Sequence, residues 1–210
     1  MRLFSLAARL APTRMSFLDS FPLLLLWGVL GGSPGPLRAQ EMDAPAEVQI
    51  PLLFKILTFD RKLGERAPGN DIVIAIVFQP GYRASVAARD QVLDALVEMK
   101  DSTISGHPVH WLALEMSDVV SLKQSMIRFR VDVIYVTPLR GVELDPIKAI
   151  ARAAGITTFT GVPRYVERGL ALGVGVARER PQIIVNLGAA RAEGSDFTSQ
   201  LLRVSKVLEE

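Results

Sequence analysis

The feature that most constrains this chain is an unbroken apolar run, Ile72-Val-Ile-Ala-Ile-Val-Phe78. Most of its residues are β-branched, which favours extended backbone. A strand with one wet face alternates apolar and polar residues. This run does not alternate, so both of its faces must be covered. Cover on both faces calls for helices above and below a sheet, and the flanking sequence supplies them.

Before the run, Leu52, Leu53, Ile56, Leu57 and Phe59 recur at helical spacing. They predict a helix over 48–59, with Pro51 in its first turn. Residues 64–70 read as a loop. After the run, Ser85 is a candidate cap for a helix to Lys100 whose inner face is Val92, Leu93, Leu96 and Val97. A second strand follows over 109–114. Ser117 then opens a helix that directs Val120, Met126 and Ile127 inward, and a third strand covers 131–137. The plainest helix signal comes next. Asp145 stands at the cap, Pro146 at the first position, Ile147, Ile150, Ala151 and Ala154 on one face, and Gly155 at the end. A fourth strand covers 156–160.

Strand–helix alternation with short links implies right-handed crossovers and a parallel sheet. The C-terminal part breaks this rhythm. Apolar runs over 170–176 and 182–187 are joined by Ala177-Arg-Glu-Arg-Pro181, a link short enough to force an antiparallel pair. A last helix is expected from Phe197, with Leu201, Val204 and Leu208 inward and Ser195 or Asp196 as its cap. The expected fold class is α/β, a three-layer sandwich. Its sheet is mixed and mostly parallel, ending in an antiparallel hairpin and a C-terminal helix.

The first 39 residues have another character. Arg2, Arg9 and Arg14 precede the apolar stretch Phe21–Gly32, and Ser33–Gln40 adds breakers and a small residue, Ala39, at a cleavage position. This is the layout of a secretory signal peptide, with Met1 or Met15 as its start; the apolar stretch is too short to span a bilayer. The expected organisation is a signal peptide over 1–39, a flexible mature N-terminus over 40–47 and one domain over 48–210. Cleavage removes four of the 24 basic and one of the 22 acidic residues, so the net charge falls from +2 to −1. A near-neutral exported domain has no general attraction for phosphate backbones, and nucleic acid is not an expected partner. Cysteine is absent, so export brings no disulfides and the core must hold the fold.

No catalytic constellation is legible. The chain has two histidines, His107 and His110, and no G-x-S-x-G elbow. On an extended segment these two point to opposite faces, and no carboxylate cluster flanks them, so no metal site is expected. Gly169-Leu-Ala-Leu-Gly173-Val-Gly175 lacks the Lys-Ser/Thr of a phosphate loop and lies in a strand, where glycine marks a bulge or close packing. No cofactor is expected. The remaining candidate surface is geometric, because ligands of open α/β sheets gather at the carboxyl ends of the strands. Gln79, Tyr82, Arg83, Thr137, Arg140 and Arg164 fall there and form a candidate rim for a partner or ligand.

The C-terminal third carries a resemblance. Ile156-Thr-Thr-Phe-Thr-Gly-Val-Pro-Arg-Tyr-Val-Glu-Arg-Gly169 is followed by the hairpin, then Ile184-Val-Asn-Leu-Gly-Ala-Ala190, then Ser199-Gln-Leu-Leu-Arg-Val-Ser-Lys206. This order resembles the YfiR family of small periplasmic regulators. Asn186, the pair Ala189 and Ala190, and the pair Leu201 and Leu202 match the family's motif and read as structural. Pro51–Phe59 looks like the family's opening helix. The resemblance implies a periplasmic, non-enzymatic regulator, a possible homodimer. It would restrain an inner-membrane sensor or diguanylate cyclase, with the cyclic-di-GMP chemistry in that partner. Two departures stand out. Relatives carry redox-sensitive cysteines and this chain has none, and Asp60-Arg61 replaces the usual Trp-Pro after the first helix. The competing expectation is a single-lobe periplasmic module that binds a small solute.

Overall fold

In a computed structural model, residues 42–66 and 71–209 are described. The signal peptide expected over 1–39 lies outside them. The described part begins with α1 (Ala46–Leu57) and a short α2 (Leu63–Arg66), followed by β1 (Ile72–Phe78) and α3 (Arg83–Glu98). Then come β2 (Thr103–Ile104), β3 (His107–Glu115), α4 (Val119–Arg128), β4 (Val133–Val136) and α5 (Asp145–Ala154). The last part holds β5 (Thr157–Thr160), α6 (Pro163–Glu167), β6 (Leu172–Ala177) and β7 (Arg180–Asn186). It closes with α7 (Leu187–Ala192), α8 (Ser199–Val204) and β8 (Lys206–Leu208).

Among the described residues, eight strands form one sheet in the order β2-β3-β1-β4-β5-β6-β7-β8. Strands β3, β1, β4, β5 and β6 run parallel, and β7 turns antiparallel to β6. The unbroken apolar run is β1, between β3 and β4, and its side chains divide by alternation. Ile72, Ile74 and Ile76 enter a core with α1 and α3, while Ala75 and Val77 enter another with α4 and α5. Two cores on opposite faces of one sheet make the three layers that the sequence predicts. Among the described residues no helix is long and apolar enough to cross a membrane.

Several local expectations change. The segment expected to be loose is packed from Met42 onward. Ala44 and Ala46 are buried, and the Asp43 N–H donates to the Gly161 carbonyl at 3.1 Å. The first helix therefore starts earlier than expected and Pro51 lies inside it, on the exposed side. Tyr82, not Ser85, precedes α3, and Val97 is 52% exposed. In α4 the cap is Asp118, which accepts the Ser121 N–H at 2.8 Å. The inner residues are Leu122 and Met126, with Val120 and Ile127 turned outward. Leu144 precedes α5, whose C-terminal Gly155 is left-handed, φ 66°, as the sequence suggests.

The expected C-terminal helix is short. It starts after Thr198 and ends by Ser205, and Leu208 joins β8, which pairs parallel to β7 and extends the sheet beyond the hairpin. Asp60-Arg61 gains a role here. The Asp60 carboxylate accepts the N–H groups of Lys62 and Asp196, and the Arg61 N–H donates to the Asp196 carbonyl. This pair clamps the end of the first helix to the C-terminal segment.

The strand glycines allow close packing. A Cβ on Gly173 would lie 2.6 Å from Val166 Cγ2 and 3.0 Å from the Thr160 carbonyl, and one on Gly175 would lie 2.7 Å from Pro163 Cγ. Helix α6 rests directly on β6 through these gaps. Substituting Gly173→Ala overpacks that contact and is expected to cost about 1–3 kcal/mol in urea unfolding. Gly81→Ala meets open space and should leave the midpoint unchanged. The β6–β7 turn is strained, since Arg178 and Glu179 both have positive φ, 51° and 62°. Replacing them with Asn-Gly should raise stability by about 1–2 kcal/mol in the same assay.

Candidate functional site

The carboxyl ends of the parallel strands meet where the chain reverses direction across the sheet. From β1 it passes to β3 on one side and then returns to β4 on the other. In open α/β sheets that reversal leaves a crevice suited to ligands. Here it is closed by the protein's own groups. The Gln79 side chain pairs with the Arg140 main chain, donating from Nε2 to the carbonyl at 3.1 Å and accepting the N–H on Oε1 at 2.9 Å. Below it, the Thr137 hydroxyl donates to the Val77 carbonyl at 3.0 Å. Ser85 Oγ then donates to Thr137 Oγ1 at 2.6 Å and accepts the Gln79 N–H at 2.8 Å.

The neighbouring loops are tied down in the same manner. The Tyr165 hydroxyl accepts the Leu139 N–H at 2.7 Å and donates to the Leu139 carbonyl at 3.2 Å. Thr160 Oγ1 donates to the Val136 carbonyl and accepts the Val162 N–H. On the other face, the buried Tyr135 hydroxyl donates to Gln49 Oε1 at 2.6 Å, and Gln49 Nε2 donates to the Ala44 carbonyl at 2.5 Å. Each of these polar groups has a partner within the chain, so this end of the sheet offers a solute few open donors. The nearest hollow, about 470 Å³, is lined largely by Ala44, Pro45, Ala84, Ala87, Ala88 and Pro138.

The predicted rim therefore separates into two sets. Thr137 is fully buried and the Gln79 amide is occupied, so both act as stitching. Tyr82 stays half-buried at the start of α3, while Arg83, Arg140 and Arg164 are exposed. Among the described residues no carboxylate forms an ion pair with these three arginines. What remains at the surface of the predicted rim is three exposed arginines and one half-buried aromatic ring.

Asn186 caps α7 by accepting the Ala189 N–H at 2.9 Å and donates Nδ2 to the Val166 carbonyl at 3.1 Å. Ala189 and Ala190 are buried beside it, Leu201 is buried, and Leu202 packs on the same core. Sequence reasoning missed Glu193. It is fully buried, and its carboxylate accepts the Thr158 N–H at 2.7 Å and the Thr158 hydroxyl at 2.8 Å. Glu193 thus substitutes for a strand partner of β5. A Glu among small residues after a helix looks solvated in sequence, and only the fold turns it inward. The two histidines do not share a site: His110 lies 3.4 Å from Asp71, and His107 lies against Gly64.

Comparison with curated proteins gives no match. Among solved structures, a conserved domain protein of Vibrio cholerae is similar, with a TM-score of 0.51 at 16% identity. The alignment covers 79% of this chain and 60% of that one. The ABC domain in complex with L-Trp from Streptococcus pneumonia gives 0.49 at 10% identity, covering 73% and 62%. A ligand-free, open substrate binding protein with adhesive properties from Clostridium difficile gives 0.47 at 18%, covering 70% and 57%. The Vibrio protein supports the fold alone, and this chain spans 60% of its length. A family model described as YfiR/HmsC-like matches residues 47–206.

Burial raises the pKa of Tyr135 and of Tyr165 above the ordinary value; at Tyr165 the Leu139 N–H opposes part of this effect. Below pH of about 10 both residues are neutral whether the chain is folded or unfolded. Above it the unfolded chain ionises first, so stability should fall as pH rises past about 10. Urea midpoints measured from about pH 8 to 11 should show this loss. Tyr135→Phe should lower stability at neutral pH and flatten the alkaline decline.

Proposed function

The chain belongs to the YfiR/HmsC-like family, and from that premise we propose that it binds and restrains the periplasmic part of an inner-membrane signalling protein, a diguanylate cyclase. The family is one of periplasmic regulators in cyclic-di-GMP signalling, not one of enzymes. In this reading residues 1–39 are removed on export, residues 48–210 act as one domain, and two copies of that domain pair. The observation that carries it is the closed crevice. The Gln79–Arg140 pairing and the Ser85–Thr137 contact occupy the polar groups that would hold a solute there, and Arg83, Arg140 and Arg164 are left exposed beside the half-buried Tyr82.

Restraint is a matter of differential affinity. A regulator that binds the inactive form of its partner better than the active form shifts the partner's equilibrium, and about 1–3 kcal/mol of preference changes the populations substantially. The exposed arginines would supply attraction to an acidic partner surface and make association sensitive to salt. Tyr82 would supply apolar contact at the same edge.

Pull-down from membranes with the mature chain should recover a membrane protein with a cyclase domain. The triple variant Arg83→Glu, Arg140→Glu, Arg164→Glu should weaken that association by about tenfold or more and reduce its salt dependence. Unchanged affinity in a Tyr82→Ala, Arg140→Ala double variant would remove this edge from consideration. A marked rise in melting temperature with a small periplasmic solute would instead favour solute binding.

A further inference from the structure

Exposed apolar side chains gather on α4. Among the described residues seven large apolar side chains are exposed, and four of them lie on this helix or at its C-terminal end: Val119, Val120, Ile127 and Phe129. Single residues of this kind are ordinary, whereas a cluster marks a surface that something covers. The helical period explains the arrangement. Leu122 and Met126 are the buried residues of α4. Val120 and Ile127, about two turns apart, therefore fall together on the outer face. They are 65% and 62% exposed.

The charges beside this ridge are cationic. Lys123 and Arg128 fall on either side of Ile127 by the helical period, and Arg130 follows Phe129; all three are exposed. The Arg128 guanidinium lies 5.5 Å from the centre of the Phe129 ring. Among the described residues no ion pair holds Lys123 or Arg128. The nearby carboxylates are engaged elsewhere. Asp118 caps the far, N-terminal end of the helix, and the buried Asp132 accepts the Val73 N–H at 2.9 Å. Next to the ridge a hollow of about 350 Å³ opens between α4 and α5, with Lys123, Ile127 and Arg130 on one side and Ile150, Ala153 and Ala154 on the other. Asp132 and Ile156, which just precede β4 and β5, also border it. The hollow thus lies at the amino ends of these strands, and the arginine rim lies at their carboxyl ends.

We propose that this face docks on the surface of an anionic phospholipid bilayer. Helix α4 lies in the plane of the membrane, with Val120, Ile127 and Phe129 at the boundary between headgroups and acyl chains. Lys123, Arg128 and Arg130 keep their aliphatic stems against the apolar layer and extend their charged ends to lipid phosphates. The hollow beside Ile127 accepts methylene groups of an acyl chain. Long, flexible cations around aliphatic side chains match a fluid surface of repeated phosphates, and the attraction weakens with salt. The rim differs, since its arginines stand beside loops fixed by hydrogen bonds. This assignment does not rest on the partner proposed above. It leaves the rim uncovered at the other end of the strands, and holding the chain at a bilayer raises its effective concentration toward any protein embedded there.

Vesicle flotation with the mature chain tests this. The chain should bind vesicles of phosphatidylglycerol and phosphatidylethanolamine, release them as salt is raised, and leave phosphatidylcholine vesicles unbound. The triple variant Lys123→Gln, Arg128→Gln, Arg130→Asn and the double variant Val120→Ser, Ile127→Ser should each lower vesicle affinity about tenfold or more. Circular dichroism should not change, because these side chains are exposed and Asn tolerates the left-handed backbone of Arg130, φ 51°. The chain has no cysteine, so a polarity-sensitive dye on Ile127→Cys reports from one place. Its emission should shift to the blue on the anionic vesicles, and the same dye on Gly81→Cys, in the loop before α3, should stay unchanged. The Tyr82→Ala, Arg140→Ala variant should keep its vesicle affinity whatever becomes of partner recovery, so the two readings fail separately. No binding to anionic vesicles at low salt, undiminished affinity in either α4 variant, or a dye shift at Gly81 in place of Ile127 would overturn the assignment. If the chain ignores vesicles while both α4 variants lose a membrane protein in pull-down, the face is a protein contact instead.

Discussion

Burial of β1 on both faces constrains the rest of the molecule. Ile72, Ile74 and Ile76 are fully excluded from water on one face, and Ala75 and Val77 on the other. Each buried aliphatic side chain contributes about 1.5–3 kcal/mol relative to exposure, so both faces must be roofed. The roof on one side is α1 and α3; on the other it is α4 and α5. With helices on both faces, the neighbouring strands can be joined only by crossovers, and the parallel order β3-β1-β4-β5 follows. The same crossovers gather the carboxyl ends of β1, β4 and β5 at one edge.

That edge shows how the fold bears on function. In related architectures the reversal of strand order leaves polar groups free to hold a ligand. Here Gln79, Ser85, Thr137, Thr160 and Tyr165 direct those groups to the main chain and side chains of adjacent loops. The loops are tied to one another, and three arginines stand exposed beside them: Arg83 at the start of α3, Arg140 on the loop after β4 and Arg164 in α6. In the proposed function, a surface held this way would meet its partner with little reorganisation, which limits the entropic cost of association.

The strands and most helices were legible because their signal is local. An unbroken β-branched run, a Pro at a helix start and a Gly at its end each act within a few residues. The misplaced features share another cause. Val97, Val120 and Ile127 fit the apolar period of their helices, yet they turn outward because each helix presents to the sheet a face set by its neighbours. Strand β8 and the burial of Glu193 were invisible because their partners, β7 and Thr158, lie far away along the chain. Of the candidate rim, Tyr82, Arg83, Arg140 and Arg164 stayed at the surface, while Gln79 and Thr137 were drawn into stitching by contacts that only the fold creates.

The amino-acid sequence by itself determined that this chain forms a covered, mostly parallel sheet, that it carries no cysteine, and that its tail follows the family's motif order. These properties depend on residue type and near neighbours. Only the tertiary structure decided that the polar groups of the crevice bond to one another and that Asp60 and Glu193 hold distant segments together. Each of those depends on groups brought side by side from distant parts of the chain, and hydrogen bonding at about 3 Å registers that proximity without regard to sequence distance.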